Sequence, residues 1–324
     1  MPQSLSVLRW GLLLAGLLLR ATPSHSAEKI VVGITGAPTA MGWPFYIAIA
    51  KGFFAAQEIV IERVSAPSSS AVILQATAGA VDMTVEGAFV DVIRAVEKGA
   101  PLAIVRILVQ TPPYELLAKP SFASLKELKG RTISVGGPKD VTRIYLDRML
   151  APNGLNDSDV DLVFAGASTA RLAALKSGAV DAAILTSPLN FIAAAAGFHV
   201  IGRTADYLTD LPQNGVVVNR NWATDHMALV QKFLVAFNEG VDWFRDRRHR
   251  DGAIQILAET GDLKPEEAAK SYDFFRNGEF FEPTGLVSRA KLRSVTKTLR
   301  DLGELPGNVD VDGLFLPGAT RVSD

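Results

Sequence analysis

The chain has 324 residues, of which 48% are hydrophobic and 21% are charged, and its formal net charge is −1. This composition excludes a disordered chain, and the small net charge gives no sign of a nucleic-acid-binding protein. The chain contains no cysteine, which excludes a disulfide scaffold, a thiolate metal site, a cysteine nucleophile and a lipoprotein anchor.

The N-terminus has the pattern of a secretory signal peptide. Arg9 precedes a run of ten apolar residues at 10–19, and small residues follow before position 28. Ten apolar residues are too few to span a bilayer, although an uncleaved anchor is the alternative. The sequence therefore predicts a signal peptide over residues 1–27, cleaved after Ser26 or Ala27, and an exported, soluble protein.

An internal repeat lies at an offset of 99 residues. Residues 64–82 (VSAPSSSAVILQATAGAVD) align with residues 163–181 (VFAGASTARLAALKSGAVD), and both end in GAVD. In each copy a strand ends in a Ser/Thr-rich turn, a helix follows (71–78 or 170–177), and GAVD leads into a short apolar strand. Alternating strands and helices favour a parallel sheet with helices on both faces. Two copies predict an α/β fold with two lobes and a cleft between them.

Further elements flank the repeat. Strands are predicted at 30–35, 132–135 and within 214–223, and helices from 224 onward, near 252–260, 265–276 and 287–302. The repeat has no counterpart of this helical tail, so we expect the tail to pack against one lobe. In open α/β sheets ligands bind beyond the carboxyl ends of the strands, so the loops there are the candidate ligand loops.

The first candidate loop is TGAPTAMGWPFY (35–46). Thr35 and Gly36 end the preceding strand, and Trp43 could stack on the planar part of a ligand. The alternative is a helix that packs Trp43 and Tyr46 inward.

The second and third loops follow the next two strands. Ser69 lies at a helix start, where its hydroxyl could cap backbone N–H groups or contact a ligand anion. Glu86 could accept a hydrogen bond from a ligand amino group or face solvent, and Gly87 would allow a close approach to the backbone.

The fourth loop opens the helix after the strand at 132–135. The free N–H groups around Gly137 and Asp140 resemble an anion site at a helix N-terminus. Thr142 and Arg143 lie in the first turn, and Arg143 could hold a carboxylate or sulfonate with two hydrogen bonds. Alternatively, Asp140 complements the helix dipole and Arg143 lies on the outer face.

The fifth loop, TSPLN (186–190), offers neutral contacts through Ser187 and Asn190, and the repeat makes Asn190 equivalent to Asp91.

The sequence carries little sign of a catalytic site. The histidines do not stand at metal-ligand spacing, and there is no G-x-S-x-G elbow or Walker-type lysine loop. We therefore expect no catalytic residue, metal or cofactor. The charge run RDRRHRD (245–251) is interpreted as a solvated helix end.

The order of these motifs resembles a known family. The signal, IAKGFF (49–54), LKELKGRTISV (125–135) and the two GAVD turns are similar to the periplasmic solute-binding proteins of the nitrate/sulfonate/taurine ABC-transporter family, which are related to thiamine-precursor proteins. The resemblance implies a type 2 periplasmic binding protein. Lobe 1 would comprise residues 28–115 plus 210–324, and lobe 2 residues 116–209. The segments 112–120 and 205–214 would be the crossovers.

The family resemblance also implies a function. The chain would be the monomeric substrate-binding component of an ABC importer, with a small-molecule solute and an inner-membrane permease as partners. An aromatic or planar carboxylate or sulfonate is the expected solute. The chain departs from sulfonate binders at Glu86 and at TSPLN, so an aminopyrimidine-type thiamine precursor contacting Glu86 and Asp91 is the alternative. An enzyme or a receptor-kinase sensor subunit on the same fold also stays open.

Overall fold

The structure is a computed structural model that describes residues 27–36, 38–305, 307 and 309–324. The predicted signal peptide, residues 1–27, lies outside the described residues apart from Ala27. Among the described residues, no helix is both long enough and apolar enough to cross a membrane. The strands are β1 (Glu28–Thr35), β2 (Ile59–Ala66), β3 (Met83–Ala88), β4 (Leu102–Val109), β5 (Tyr114–Ala118), β6 (Thr132–Val135), β7 (Asp161–Phe164), β8 (Ala182–Thr186), β9 (His199–Arg203), β10 (Asn214–Asn219), β11 (Leu286–Ser288) and β12 (Arg321–Ser323).

The helices follow the predicted alternation, with two differences at their starts. The helices after β2 and β7 begin two residues earlier than predicted, and the predicted strand at 214–223 ends at Asn219. The Asn219 side chain accepts hydrogen bonds from the N–H groups of Asn221 and Trp222 and thereby starts a helix. The helices are α1 (Trp43–Ala50), α2 (Phe53–Ala56), α3 (Ser69–Thr77), α4 (Phe89–Glu97), α5 (Val141–Leu150), α6 (Ser168–Lys176), α7 (Leu189–Ala195), α8 (Arg220–Asp225), α9 (Met227–Arg245), α10 (Arg250–Gly261), α11 (Pro265–Asn277) and α12 (Arg289–Asp301).

Two five-stranded sheets have the same topology. Their strand orders are β2-β1-β3-β10-β4 and β7-β6-β8-β5-β9. In each sheet the first three strands are parallel, and the fourth, β10 or β5, runs antiparallel to both neighbours. Along the chain, β5 follows β1–β4 of the first sheet but pairs in the second sheet. In the same way, β10 follows β6–β9 of the second sheet but pairs in the first. This arrangement confirms the predicted α/β fold.

The repeated GAVD turns have the same structural role in both sheets. The Asp82 carboxylate accepts a hydrogen bond from the Val31 N–H at 2.7 Å, and the Asp181 carboxylate accepts one from the Thr132 N–H at 3.2 Å. The backbone N–H of each aspartate donates in return to the carbonyl of the same residue. The aspartate thus ties the end of each turn to the first strand of its sheet, which explains why both copies carry it.

Two adjacent crossovers connect the sheets. The Gln213 N–H donates to the Val109 carbonyl at 2.8 Å, and the Thr204 hydroxyl accepts from the Tyr114 N–H at 2.9 Å. The predicted lobe boundaries stay a prediction, except at the start of β5. Tyr114 and Glu115 pair with β8 of the second sheet, although the sequence assigned them to lobe 1. The first crossover is accordingly shorter than the predicted 112–120, because β5 occupies most of that segment.

The helical tail packs against the first sheet. In α9, Phe233 stacks on Phe54 with ring centroids 4.9 Å apart, and Phe237 stacks on Phe45 at 6.4 Å. Gly240 allows the close approach of α9 to α1, since a Cβ there would lie 2.3 Å from a backbone carbonyl oxygen of α1. The first lobe therefore has a second, largely aromatic core on the face away from α3 and α4.

Candidate functional site

Buried polar atoms without hydrogen-bond partners gather at the carboxyl ends of the strands and in the elements that adjoin them. An unpaired buried donor or acceptor costs about 1–3 kcal/mol, so such a concentration indicates groups that a ligand or water satisfies. Those near the strand ends are Thr35 Oγ1, Thr39 Oγ1, Tyr46 OH and Glu86 Oε1 on lobe 1, Ser134 Oγ, Tyr145 OH and Asn190 Oδ1 on lobe 2, and Gln213 Oε1 and Asn214 Oδ1 where the second crossover enters β10. Further buried atoms of the described chain without a hydrogen-bond partner lie on helices, namely Gln75 Oε1, Arg94 Nη2, Arg143 Nε and Asp147 Oδ1.

Two tyrosines of lobe 2 lie next to each other in this region. The rings of Tyr114, at the start of β5, and Tyr145, in α5, lie 5.5 Å apart. Burial raises the pKa of Tyr114 to about 12, Arg171 opposes the rise, and Asp140 of lobe 2 and Glu86 of lobe 1 add to it. The Tyr114 phenol therefore lies within electrostatic reach of both lobes.

Glu86 is the most unusual of these groups. Its side chain is at the end of β3 and only 7% exposed. One carboxylate oxygen accepts the Thr35 N–H at 3.1 Å, and the other has no partner. Burial raises the pKa of Glu86 to about 7, against the opposing effect of the hydrogen bond from Thr35. Of the two alternatives for Glu86, the structure therefore excludes the one in which it faces solvent.

A second carboxylate of lobe 1, Asp91, lies in the first turn of α4. Burial raises its pKa, the Ser69 hydroxyl and Arg94 oppose the rise, and Asp140 across the cleft adds to it. Ser69 Oγ also accepts the Ala88 N–H at 2.9 Å, so the predicted ligand residue Ser69 braces the loop between β3 and α4. The Asp91 carboxylate is paired with Arg94 at 3.1 Å.

The anion site at the start of α5 stays a prediction, and the contacts there do not favour it. The Asp140 carboxylate accepts hydrogen bonds from the Thr142 N–H at 2.9 Å and from the Thr142 hydroxyl, so the chain's own anion caps the helix. The space at Gly136 is also filled by this carboxylate, which would lie 2.3 Å from a Cβ there. Gly137 accepts the Asp140 N–H through its carbonyl. A negative charge in this position disfavours a ligand anion.

Arg143 does not form the predicted fork toward a ligand. Its guanidinium donates to Asp157 at 2.6 Å and to the Pro138 carbonyl at 3.0 Å, and about a third of the side chain is exposed. The sequence could not exclude this outcome, because Asp157 lies in a separate turn. A different arginine, Arg171, is buried near Tyr114 and Asp140, and its Nε donates to the Ile184 carbonyl at 2.8 Å.

Trp43 is likewise not a ligand-stacking residue. Its side chain is fully buried, its indole N–H donates to the Ala253 carbonyl at 2.9 Å, and its ring packs against Phe244 and Tyr272. The alternative, in which Trp43 packs inward, therefore holds. Helices α10 and α11 cover this face of α1, although they lie more than 200 residues further along the chain. Tyr46 is buried as well, although its hydroxyl has no partner.

The two glycines predicted to face a ligand differ in their surroundings. Gly36 has a φ of +65° and open space at its Cβ position, as a turn at a strand end requires. Gly87 lies in β3, and a Cβ there would be 2.7 Å from Ile73. The close approach at Gly87 is therefore to α3 and not to a ligand.

In the fifth loop, Ser187 and Asn190 are both buried. The Ser187 hydroxyl donates to the Ser271 hydroxyl of α11 at 2.6 Å, so this residue joins lobe 2 to the helical tail. The Asn190 amide nitrogen donates to Glu115 at 2.8 Å, whereas its carbonyl oxygen has no partner. Asn190 therefore keeps a free acceptor at the position equivalent to Asp91.

The two lobes touch each other on both sides of the strand ends. On one side the rings of Phe191 and Phe274 meet edge to face at 5.7 Å, next to the Ser187 contact. On the other side a cavity of about 60 Å³ lies between the start of α5 and residues Leu302 and Glu304 of the tail. The lobes thus meet beside the strand ends, whose unpaired polar atoms are buried.

Sequence reasoning missed several residues of this region, namely Tyr114, Tyr145, Arg171, Gln213 and Asn214. Tyr145 fitted the apolar stripe of its helix, and Tyr114 and Gln213 lie at crossovers that were interpreted as connections. The repeat could have drawn attention to Arg171, which replaces Val72 at the equivalent position of an otherwise apolar helix face. No group of three or more His, Asp or Glu side chains among the described residues is arranged to hold a metal ion.

Comparison with known proteins agrees with this architecture. Residues 41–248 match the protein family described as NMT1/THI5 like. The chain belongs to this family. Its relatives include the riboflavin-binding protein RibY of Chloroflexus aurantiacus, which is 26% identical over 91% of this chain and 88% of RibY.

Solved structures of periplasmic binding proteins have the same fold. The aliphatic sulphonate binding protein SsuA of Escherichia coli superposes with a TM-score of 0.75 at 21% identity, over 92% of this chain and 94% of SsuA. The nitrate-binding protein NrtA of Synechocystis PCC 6803 gives a TM-score of 0.71 at 15% identity, over 89% of this chain and 85% of NrtA. The family match confirms the predicted family resemblance, and these structures confirm that the chain has the fold of the sulfonate- and nitrate-binding proteins.

Proposed function

We propose that this protein is the periplasmic receptor of an ABC importer and that it captures a small planar solute rich in N–H donors between its lobes. The observation that carries the proposal is the set of enclosed, unpaired polar atoms contributed by both lobes at the strand ends. A solute that pairs with them favours the closed arrangement, because it gains contacts that only closure provides. Delivery to a permease rests on the resemblance to importer subunits.

The chemistry of the unpaired atoms favours a donor-bearing solute over an anion. Glu86 Oε1 and the carbonyl oxygens of Asn190 and Gln213 are acceptors, and hydroxyl groups adapt to either role. Asp140 places a negative charge at the start of α5, and the two terminal nitrogens of Arg143 donate to Pro138 and Asp157, which leaves only its Nε without a partner. These contacts support the aminopyrimidine-type alternative over the carboxylate or sulfonate that the sequence favoured.

Two further observations support a planar nitrogen heterocycle. The rings of Tyr114 and Tyr145, tilted by 53° to each other, provide aromatic surface on which a planar ligand can pack. The relative RibY is named for binding riboflavin, whose ring system is a planar nitrogen heterocycle. The solute class of the present protein is inferred from both.

A thermal-shift screen of the mature protein, from residue 28 onward, tests the proposal. The panel contains aminopyrimidines, riboflavin, alkyl and aryl sulfonates, aromatic carboxylates and nitrate, and native mass spectrometry checks for co-purified solute. A ligand at 100 times its Kd adds about 2.7 kcal/mol of stability, which raises the Tm by several degrees.

Binding among the heterocycles supports the proposal, and binding only among the sulfonates or carboxylates restores the anion hypothesis. Turnover of a bound compound by the protein alone would instead indicate an enzyme on this fold. Capture of a receptor kinase in place of a permease would indicate a sensor subunit.

A further inference from the structure

The charge run at the end of α9 contains one arginine that differs from its neighbours. Arg248 donates to the Asp246 carboxylate at 2.9 Å, and Arg250 donates to the Asp273 carboxylate at 2.9 Å. Arg245, in contrast, is partly buried, and its side chain has no hydrogen bond or ion pair within the described residues. A partly buried guanidinium without a counter-ion favours the binding of an anion.

Arg245 lines a cavity of about 50 Å³ together with a second arginine, Arg276 of α11. The Nε of Arg276 donates to the Arg245 carbonyl at 3.0 Å, which holds the Arg276 guanidinium beside the end of α9. No carboxylate in the described ranges of the chain forms an ion pair with either guanidinium, and the two terminal nitrogens of Arg276 have no hydrogen-bond partner there. Two cations therefore adjoin one cavity, which we call the α9–α11 cavity.

The apolar side of the α9–α11 cavity is a wall of buried phenylalanine rings. Phe281 meets Phe244 edge to face with ring centroids 4.9 Å apart, and it packs against Phe275 at 5.2 Å. The segment that carries Phe281 is fixed to the first sheet, because the Glu282 N–H donates to the Leu108 carbonyl at 2.8 Å. The wall is therefore held in place by the core of lobe 1.

The charges around the α9–α11 cavity are mainly positive. Burial raises the pKa of Tyr272 in α11, and nearby arginines oppose this rise, while Asp273 adds to it. The opposing arginines are Arg276, Arg247 and Arg250. Of the residues that line the cavity, Glu279 is the only acid, and its side chain is exposed. The arrangement favours an anion of a single charge over a multiply charged one.

Arginines at the ends of helices also complement the helix dipole. In Arg276 this role uses only Nε, so its terminal nitrogens and the whole guanidinium of Arg245 stay available. A guanidinium matches the planar geometry of a carboxylate, with which it forms paired hydrogen bonds. The cavity has about the volume of two water molecules in the liquid, so it suits a small carboxylate whose hydrocarbon part contacts the phenylalanine rings.

We propose that the α9–α11 cavity is an accessory binding site for a small monocarboxylate, which Arg245 and Arg276 hold through its oxygens. The site lies within lobe 1 and is separate from the strand ends of the interlobe region. It therefore stands or falls independently of the proposed function.

An NMR titration of the nitrogen-15-labelled mature protein with sodium acetate tests the proposal, with sodium chloride keeping the ionic strength constant. The Nε–H resonances of Arg245 and Arg276 are assigned by their disappearance in Arg245→Gln and Arg276→Gln. In the wild type both resonances should shift saturably with acetate. Each substitution should weaken acetate binding about tenfold, as read from the resonance of the remaining arginine.

The control Arg247→Gln removes an exposed arginine of the same charge run that does not line the cavity, and it should keep the wild-type affinity for acetate. Arg245→Gln should also keep the urea midpoint of the wild type, because its side chain has no partner to lose. Shifts that do not saturate, or that sodium chloride alone reproduces, would overturn the proposal. So would equal acetate affinities for the wild type and both cavity variants, or an equal loss of affinity in Arg247→Gln.

Discussion

The two halves of the internal repeat share a framework and differ at the strand ends. Asp82 and Asp181 make the same hydrogen bonds to the first strand of their sheets. Four residues beyond these aspartates, the equivalent positions hold Glu86 in lobe 1 and Leu185 in lobe 2, both buried. The framework is thus common to the lobes, while one strand end carries a buried acid and the other an ordinary core residue. The difference indicates that the lobes contribute unequally to the site.

The largest effect is expected from placing polarity at the lobe 2 position. Leu185→Gln buries an amide within the apolar cluster around Leu117 and Leu172. We expect a loss of about 4 kcal/mol in the free energy of unfolding, from lost apolar burial and an unsatisfied amide. Urea denaturation at pH 7 measures it. An unchanged midpoint would contradict the view that this strand end is core.

The equivalent substitution in lobe 1 should have the opposite sign. Glu86 has a folded-state pKa raised to about 7 from 4.5, so its contribution to stability is lost as pH rises from 4.5 to 7. Glu86→Gln should therefore raise the free energy of unfolding by about 3 kcal/mol at pH 8 and leave it unchanged at pH 4. Urea denaturation at both pH values checks this, with Glu62→Gln as the control. A loss of stability at pH 8 would show that Glu86 has a partner.

The framework aspartates should differ from each other in their pH dependence. The pKa of Asp181 is lowered, because hydrogen bonds from Lys119 and Thr132 outweigh the opposing effect of burial, whereas burial raises the pKa of Asp82. Asp181→Ala should lower the free energy of unfolding by about 2 kcal/mol at pH 7. This loss should become smaller as the pH falls below about 4.

Asp82→Ala should lower the free energy of unfolding by less than this at pH 7, and the loss should grow as the pH falls. The reason is that the pKa of Asp82 is raised, so its carboxyl stabilises the folded state most when it is protonated. Thermal unfolding between pH 3 and pH 7 separates the two variants. Parallel pH profiles for both would contradict the assigned environments.

The smallest effects concern two tyrosine hydroxyls. Tyr145→Phe removes a buried hydroxyl without a partner, so stability should be unchanged or higher by about 1 kcal/mol, and the affinity for the bound solute should fall about tenfold. The control Tyr272→Phe removes a hydroxyl that donates to the Phe244 carbonyl at 3.2 Å. It should lose about 1 kcal/mol of stability and keep its affinity. A reversed pattern would place the solute away from Tyr145.

The fold could be predicted because its signals are local or repeated. The strand at 132–135 and the helices of the tail follow from apolar periodicity, and the offset of 99 residues indicated two equivalent units. The order of strands within each sheet was not predicted, since β5 and β10 enter sheets formed mainly by other parts of the chain.

The site was harder to predict because its composition depends on long-range contacts. Trp43 looks the same in sequence whether it faces a ligand or α10, and only the packing of the tail decides between the two. Arg143 is turned away by Asp157, and Asp140 fills the helix start that was expected to hold an anion. The significance of Glu86 lies in an absent partner, which no sequence pattern reveals.

A crystal structure of the mature protein with the compound of the screen that shifts the Tm most would test the central claim directly. The account predicts a planar solute enclosed by both lobes, with an N–H group within hydrogen-bond distance of Glu86 Oε1 and its ring beside Tyr114 and Tyr145. A solute held outside the interlobe region, or an anion bound at Arg143 with Glu86 unoccupied, would contradict it.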